Sequence, residues 1–140
     1  IAPFFLTQGF IDELKLTKGH VVNISSIHAK LTKSEFTCYA ASKAALESLT
    51  RSLALEISQY GISVNAIAPA AIDTKMLRES FINNPTKLEK LKLCHPVNDI
   101  GTAKNVANLV KTIAETNNSF LTGGVIELNG GIGSRLHDPD

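Results

Sequence analysis

The stretch VVNIS, Val21–Ser25, decides how the chain is laid out. Its β-branched residues follow one another with little polar alternation, which predicts a strand buried on both faces. Lys18-Gly19-His20 precedes it and breaks a helical pattern. That pattern, Pro3–Leu16, carries Phe4, Phe5, Phe10, Ile11 and Leu14 near helical spacing, with proline close to the start. The residues after the strand, SIHAKLTKSEF, have no period and read as a loop. A long helix is predicted from about Phe36 to Tyr60. Leu46, Leu49, Leu53 and Ile57 share one of its faces, and Gly61 ends it. Ala41, Ala44, Ala45, Ser48 and Ser52 form a second face of small side chains, suited to close approach by another helix.

The chain repeats this grammar. ISVNAIA is a second buried strand, closed by Pro69. Residues 73–98 mix short helical patterns with NNP and HP breaks and read as a lid or substrate loop. Thr102 caps a helix that turns Val106, Ala107, Leu109, Val110, Ile113 and Ala114 inward. Thr122-Gly123-Gly124 then turns into a last short strand, VIEL. Helices alternating with apolar strands predict a parallel α/β sheet covered by helices. Ligands gather at the carboxyl ends of such strands, here Ser25–Ser26, Ala68–Thr74 and Asn129–Gly131.

Composition narrows the function classes. Of 140 residues, 44% are hydrophobic and 19% charged, which argues against disorder, and the net charge is only +1. No basic stripe interleaved with aromatics predicts nucleic acid as a partner. The apolar runs are too short to span a membrane, so none is expected as a partner. Cys38 and Cys94 stand far apart, with no disulfide framework and no metal spacing, which points to a cytoplasmic protein. His20, His28, His95 and His137 lack metal-ligand spacing and read as surface or loop residues.

The chemistry concentrates in TCYAASKAAL, Thr37–Leu46. Tyr39 and Lys43 are four apart and share a helix face. An ammonium beside a phenol favours the phenolate, which equips a tyrosine for proton transfer with an alcohol or carbonyl. Such a pair arises by chance in roughly one chain in four of this length. Ser26, thirteen residues upstream at a strand end, makes chance far less adequate, because a hydroxyl there can bond the same substrate oxygen.

With these residues in place, the chain resembles the short-chain dehydrogenases/reductases. APFFLTQ, GHVVNISS, YAASKAAL, YGISVNAIAPAAIDTKML and TGGVIELNGG are similar to successive family segments, in order, over nearly the whole sequence. The resemblance implies a Rossmann-like doubly wound parallel sheet, here only the last three strands and their helices. It implies an oxidoreductase that moves hydride between NAD or NADP and an alcohol or carbonyl, in the manner of a 3-oxoacyl reductase. Tyr39 would exchange the proton, Lys43 would hold the nicotinamide ribose, and Ser26 would position the carbonyl. Pro69, Ala70, Ile72 and Thr74 would line the cofactor. A homo-oligomer, a dimer or tetramer built across the small-residue helix face, is the implied assembly. The alternative is a non-catalytic binding or scaffold protein that keeps part of the reductase fold.

Three positions depart from the family pattern. Ala70 stands where glycine is usual, Asp99 where arginine is common, and Asn129 where aspartate is common. Asn129–Gly133, NGGIG, follows a strand but leads to no helix and is rejected as a phosphate loop. No glycine-rich turn links a first strand to a helix. Residues 1–140 are therefore expected to be the C-terminal part of a single domain, truncated of its glycine-rich N-terminal half, with a nicotinamide half-site only.

Overall fold

A computed structural model describes residues 1–135. Two helices open the chain, α1 (Ala2–Gly9) and α2 (Ile11–Thr17). The single helix expected over 3–16 is broken at Phe10, whose φ of −106° and ψ of 15° lie outside the helical well. Lys18 then takes the left-handed conformation that ends α2, φ 50°, and releases the chain into β1 (His20–Ile24).

α3 runs from Thr37 to Ile57, and Gly61 at φ 77° ends the 3-10 turn that follows it. Leu53, Ala54 and Ile57 are buried, with Leu49 packed beside them, as the leucine spacing predicts. They meet Ile62 and Val64 at the entry to β2 (Ser63–Pro69) and are backed by Ile11 and Leu14 of α2. All seven residues of β2 are buried, the mark of a strand covered on both faces.

β3 (Ile72–Asp73), α4 (Lys75–Ser80), α5 (Pro85–Leu93) and β4 (Gly101–Thr102) make up the irregular stretch. α6 (Ala103–Glu115) carries the expected cap. Thr102 Oγ1 accepts from Asn105 N at 3.2 Å, and Asn105 Oδ1 accepts in return from Thr102 N at 2.8 Å. Ile113 is buried against the sheet, whereas Ala107 and Ala114, expected to face inward, are exposed. β5 (Val125–Leu128) is the last strand.

The strands form two parallel sheets. One has the order β1-β2-β5, with Ile24 beside Ile67 and Pro69 beside Leu128; the other pairs β3 with β4. Only three strands were expected, and this is corrected: five are present among the described residues. Strands of two residues leave no readable pattern, and β3 and β4 find each other only through folding. Gly101 fits there because a Cβ would fall 2.5 Å from Ile72 Cδ1.

β2 is fastened to the turn before β5 by a buried amide. Asn65 Nδ2 donates to Leu121 O at 2.8 Å, and Asn65 Oδ1 accepts from Gly124 N at 3.0 Å. Parallel pairing brings the carboxyl ends of β1, β2 and β5 to one edge of the sheet, where Ser26, Ala70 and Asn129 follow.

Candidate active site

Two adjacent serines leave β1 and do different work. Ser25 Oγ donates to Glu47 Oε1 at 3.0 Å, and both residues are buried. This ties the strand end to the middle of α3. Ser26 points elsewhere: its Oγ accepts from His28 N at 3.2 Å and caps the 3-10 turn Ile27–Ala29. One hydrogen bond accepted leaves the Ser26 proton free to donate. The residue also lines a 240 Å³ cavity with Ile27, Leu31, Ala68 and Glu127. Lys30 reaches across the same cavity to Glu127, Nζ to Oε1 2.8 Å. The ammonium holds the Glu127 carboxyl below its ordinary value, and the carboxylate raises Lys30 in turn.

Tyr39 and Lys43 stand on the first turns of α3. Lys43 Nζ donates to Ile24 O at 2.7 Å, at the carboxyl end of β1, and lies 5.7 Å from the centre of the Tyr39 ring. The phenol is half exposed. Its ring meets Phe36 edge-on at 5.7 Å and His28 edge-on at 5.8 Å, while His28 and Phe36 lie 4.6 Å apart. Ser26, Tyr39 and Lys43 therefore share one corner, with residue 28 between the first two.

The other sequence candidates follow β2. Pro69 ends the strand, and Ala70 N donates to Leu128 O at 3.1 Å. Ala70 is not among the residues with positive φ, so the methyl group standing in for glycine meets no backbone penalty. Ile72 pairs with Gly101. Thr74 Oγ1 accepts from Leu77 N at 3.2 Å as the cap of α4, which leaves its O–H free. Among the described residues, no hydrogen bond joins this loop to Tyr39 or Lys43; the shared edge of the sheet is what relates them.

The departures serve local structure. Asp99 Oδ1 accepts from Ile100 N at 2.8 Å. Asn129 Oδ1 accepts from Gly131 N at 2.9 Å, and its amide donates to Glu127 Oε2 at 2.9 Å. Gly130 and Gly131 have φ 57° and 86° and run under Val97 and Pro96, where a Cβ would come within 2.9 and 3.1 Å. His28 and His95 lie in turns, as expected, although His95 is only 2% exposed and His28 sits inside the aromatic corner; His20 departs from the expectation by standing in β1, and His137 lies outside the described residues. Glu47 and His28 escaped sequence reasoning. Glu47 stands four residues after Lys43, a spacing that places it beside the strand end once the helix is docked. Among the described residues no group of three or more potential metal ligands occurs, and no helix is long and apolar enough to cross a membrane.

A parallel sheet, a serine at the end of β1 and a tyrosine–lysine pair on the next helix are the arrangement that the resemblance to the short-chain dehydrogenases/reductases implies. Within that class, the family model described as enoyl-(acyl carrier protein) reductase matches residues 2–133, and the chain belongs to that family. Protein FixR of Bradyrhizobium diazoefficiens is 38% identical over 132 residues, covering 94% of this chain and 45% of that protein. The 3-oxoacyl-(acyl-carrier-protein) reductase FabG of Pseudomonas aeruginosa is 37% identical over 114 residues, 81% of this chain and 45% of its own length. Among solved structures, ElxO with NADP bound superposes with a TM-score of 0.86 at 29% identity, over 95% of this chain and 54% of that one. The chain spans about half the length of the curated relatives it matches.

Three expectations, of a truncated family member, of a missing glycine-rich half and of a nicotinamide half-site only, stand against a family model that matches residues 2–133 and an NADP-bound relative that superposes over 95% of this chain.

Proposed function

We propose that the protein is an NAD(P)-dependent reductase or dehydrogenase acting on a carbonyl or alcohol, with Tyr39, Lys43 and Ser26 as its catalytic residues. The observation that carries this reading is their meeting at the carboxyl end of β1, with Lys43 docked on Ile24 O and the Ser26 proton free. Tyr39 is exposed enough to deliver a proton to a substrate oxygen. Ser26 donates to the same oxygen and stabilises the charge that develops on it.

NAD or NADP is the cofactor this reading requires, and the residues fit it. An ammonium carries three donors. Ile24 O takes one from Lys43, which leaves two for vicinal ribose hydroxyls. The Thr74 hydroxyl, the Ile72 backbone, Pro69 and Ala70 are assigned to the nicotinamide side. When bound, the reduced nicotinamide supplies the hydride to the carbonyl carbon. Residues 73–98 are assigned as the lid of a single domain.

A 3-oxoacyl thioester is the first substrate to try, because the FabG relative is named for that reaction and the family model for an acyl-carrier reductase. Oxidation of NADPH or NADH with that substrate should be measured for the wild type and for Ser26→Ala. A loss of about 100-fold in turnover is expected for the variant. Equal rates in the two proteins would remove Ser26 from the mechanism.

A homo-oligomer is part of the same proposal. Phe5 and Leu6 of α1 are exposed, as are Ala41, Ala45 and Ser48 of α3. Small side chains let two helices approach closely. Sedimentation should show a dimer or tetramer, and Ala45→Arg should shift it toward monomer. A monodisperse wild-type monomer contradicts the assembly.

A further inference from the structure

We infer that His28 is a positioning residue of the candidate site, holding Ser26 by its backbone and Tyr39 by its ring, so that the protonation state of that ring reaches Tyr39. The inference rests on the catalytic reading of Ser26 and Tyr39.

The geometry is specific. His28 N donates to Ser26 Oγ at 3.2 Å, which fixes the serine rotamer and leaves its proton for substrate. The imidazole packs 4.6 Å from Phe36 and 5.8 Å from Tyr39, at 73° to the phenol ring. Edge-to-face pairs of this kind hold a ring orientation. His28 Nδ1 is sealed from solvent and has no hydrogen-bond partner among the described residues. A sealed, unpaired nitrogen suits a neutral ring packed among aromatics better than an imidazolium, whose second N–H would need an acceptor.

The surroundings point the same way. Burial, and then the Lys33 ammonium, hold the His28 pKa below its ordinary value, against a pull from the Leu31 backbone in the other direction. Lys33 is also the cation over Phe36, 4.4 Å from its ring. From α3 the titratable groups at this corner are Tyr39 and, beyond its ring, Lys43. The lowered pKa favours the uncharged ring near neutrality. As pH falls through the lowered value, a proton enters a crowded corner beside Lys33, and the His28–Tyr39 contact must rearrange.

The chain has two tyrosines and no tryptophan, so Tyr60→Phe makes Tyr39 the sole intrinsic fluorophore of its class. In that background, Tyr39 emission is expected to change in a one-proton step with its midpoint below about 6.5. His28→Phe and His28→Gln should each abolish the step. Flat emission, or a step that survives both substitutions, overturns the inference without touching the catalytic reading. The second arm is turnover against pH. His28→Phe should keep the aromatic packing and lose the acid limb of the profile. His28→Ala should lower kcat about tenfold while KM moves far less. If Tyr39→Phe abolishes turnover but the acid limb is unmoved in His28→Phe, the inference fails and the catalytic reading stands. If Tyr39→Phe turns over normally, the catalytic reading fails, and the role of His28 in catalysis falls with it.

Discussion

Tyr39→Phe should lower turnover about 10³-fold to 10⁴-fold, the upper part of the range for a lost proton donor, and leave the fold unchanged. The two halves of this expectation come from different facts. The hydroxyl of Tyr39 makes no hydrogen bond with the described residues, so its removal strands no partner. The ring makes the contacts with Phe36 and His28, and phenylalanine keeps a ring of the same shape there. Lys43 keeps its bond to Ile24 O, which does not depend on the phenol. Nucleotide affinity, followed by fluorescence of NADPH, should therefore change less than about tenfold. The measurement that decides is single-turnover NADPH oxidation beside a thermal melt. Residual activity within tenfold of the wild type would assign the proton to another group.

Asn65→Leu should cost about 2–6 kcal/mol of stability, read as a fall in the urea midpoint at constant slope. Leucine shares the branching of asparagine but is larger, so no cavity opens and overpacking adds to the cost. The main loss is polar. Leu121 O and Gly124 N would lose their partners inside the protein, at about 1–3 kcal/mol each. Relief is blocked by burial: Asn65 is fully inaccessible at the centre of the sheet. Glycine at 124 belongs to the same arrangement, since a Cβ there would stand 3.2 Å from Asn65 Oδ1. A midpoint unchanged within error would mean that the turn before β5 finds other partners.

The parts of the fold that were readable from the chain are those fixed by near neighbours. Thr102 is a local cap, and it formed as predicted, with Asn105 bonding back to it. The Leu49, Leu53 and Ile57 stripe is a property of one helix, and it faces the core. β2 was readable because all its residues are buried, so an apolar run needed no knowledge of its partners. The break at Phe10 and the two-residue strands depend on what the chain meets after folding. The candidate site divides in the same way. The spacing of Tyr39 and Lys43 is helical arithmetic, and Ser26 is marked by its place after a strand. His28 joins them only once the loop over 27–36 folds back on α3. Glu47 is similar: an acid on a helix reads as solvated until a strand end delivers Ser25 to it.

The paired serines have a consequence for how such a site survives change. Side chains of successive strand residues point to opposite sides, so a slip of one residue in pairing changes their surroundings. Here a slip that moved Ser25 to the cavity would bring Ile24, not Ser26, to Glu47 and leave that carboxylate without its hydroxyl. Both are serines, and the chemistry at the mouth would be nominally intact, yet the hydroxyl on offer would no longer be the one seated on the amide of residue 28. The carboxylate of Glu47 thus acts as an alignment key: it accepts one hydroxyl of an identical pair and thereby leaves the other in service.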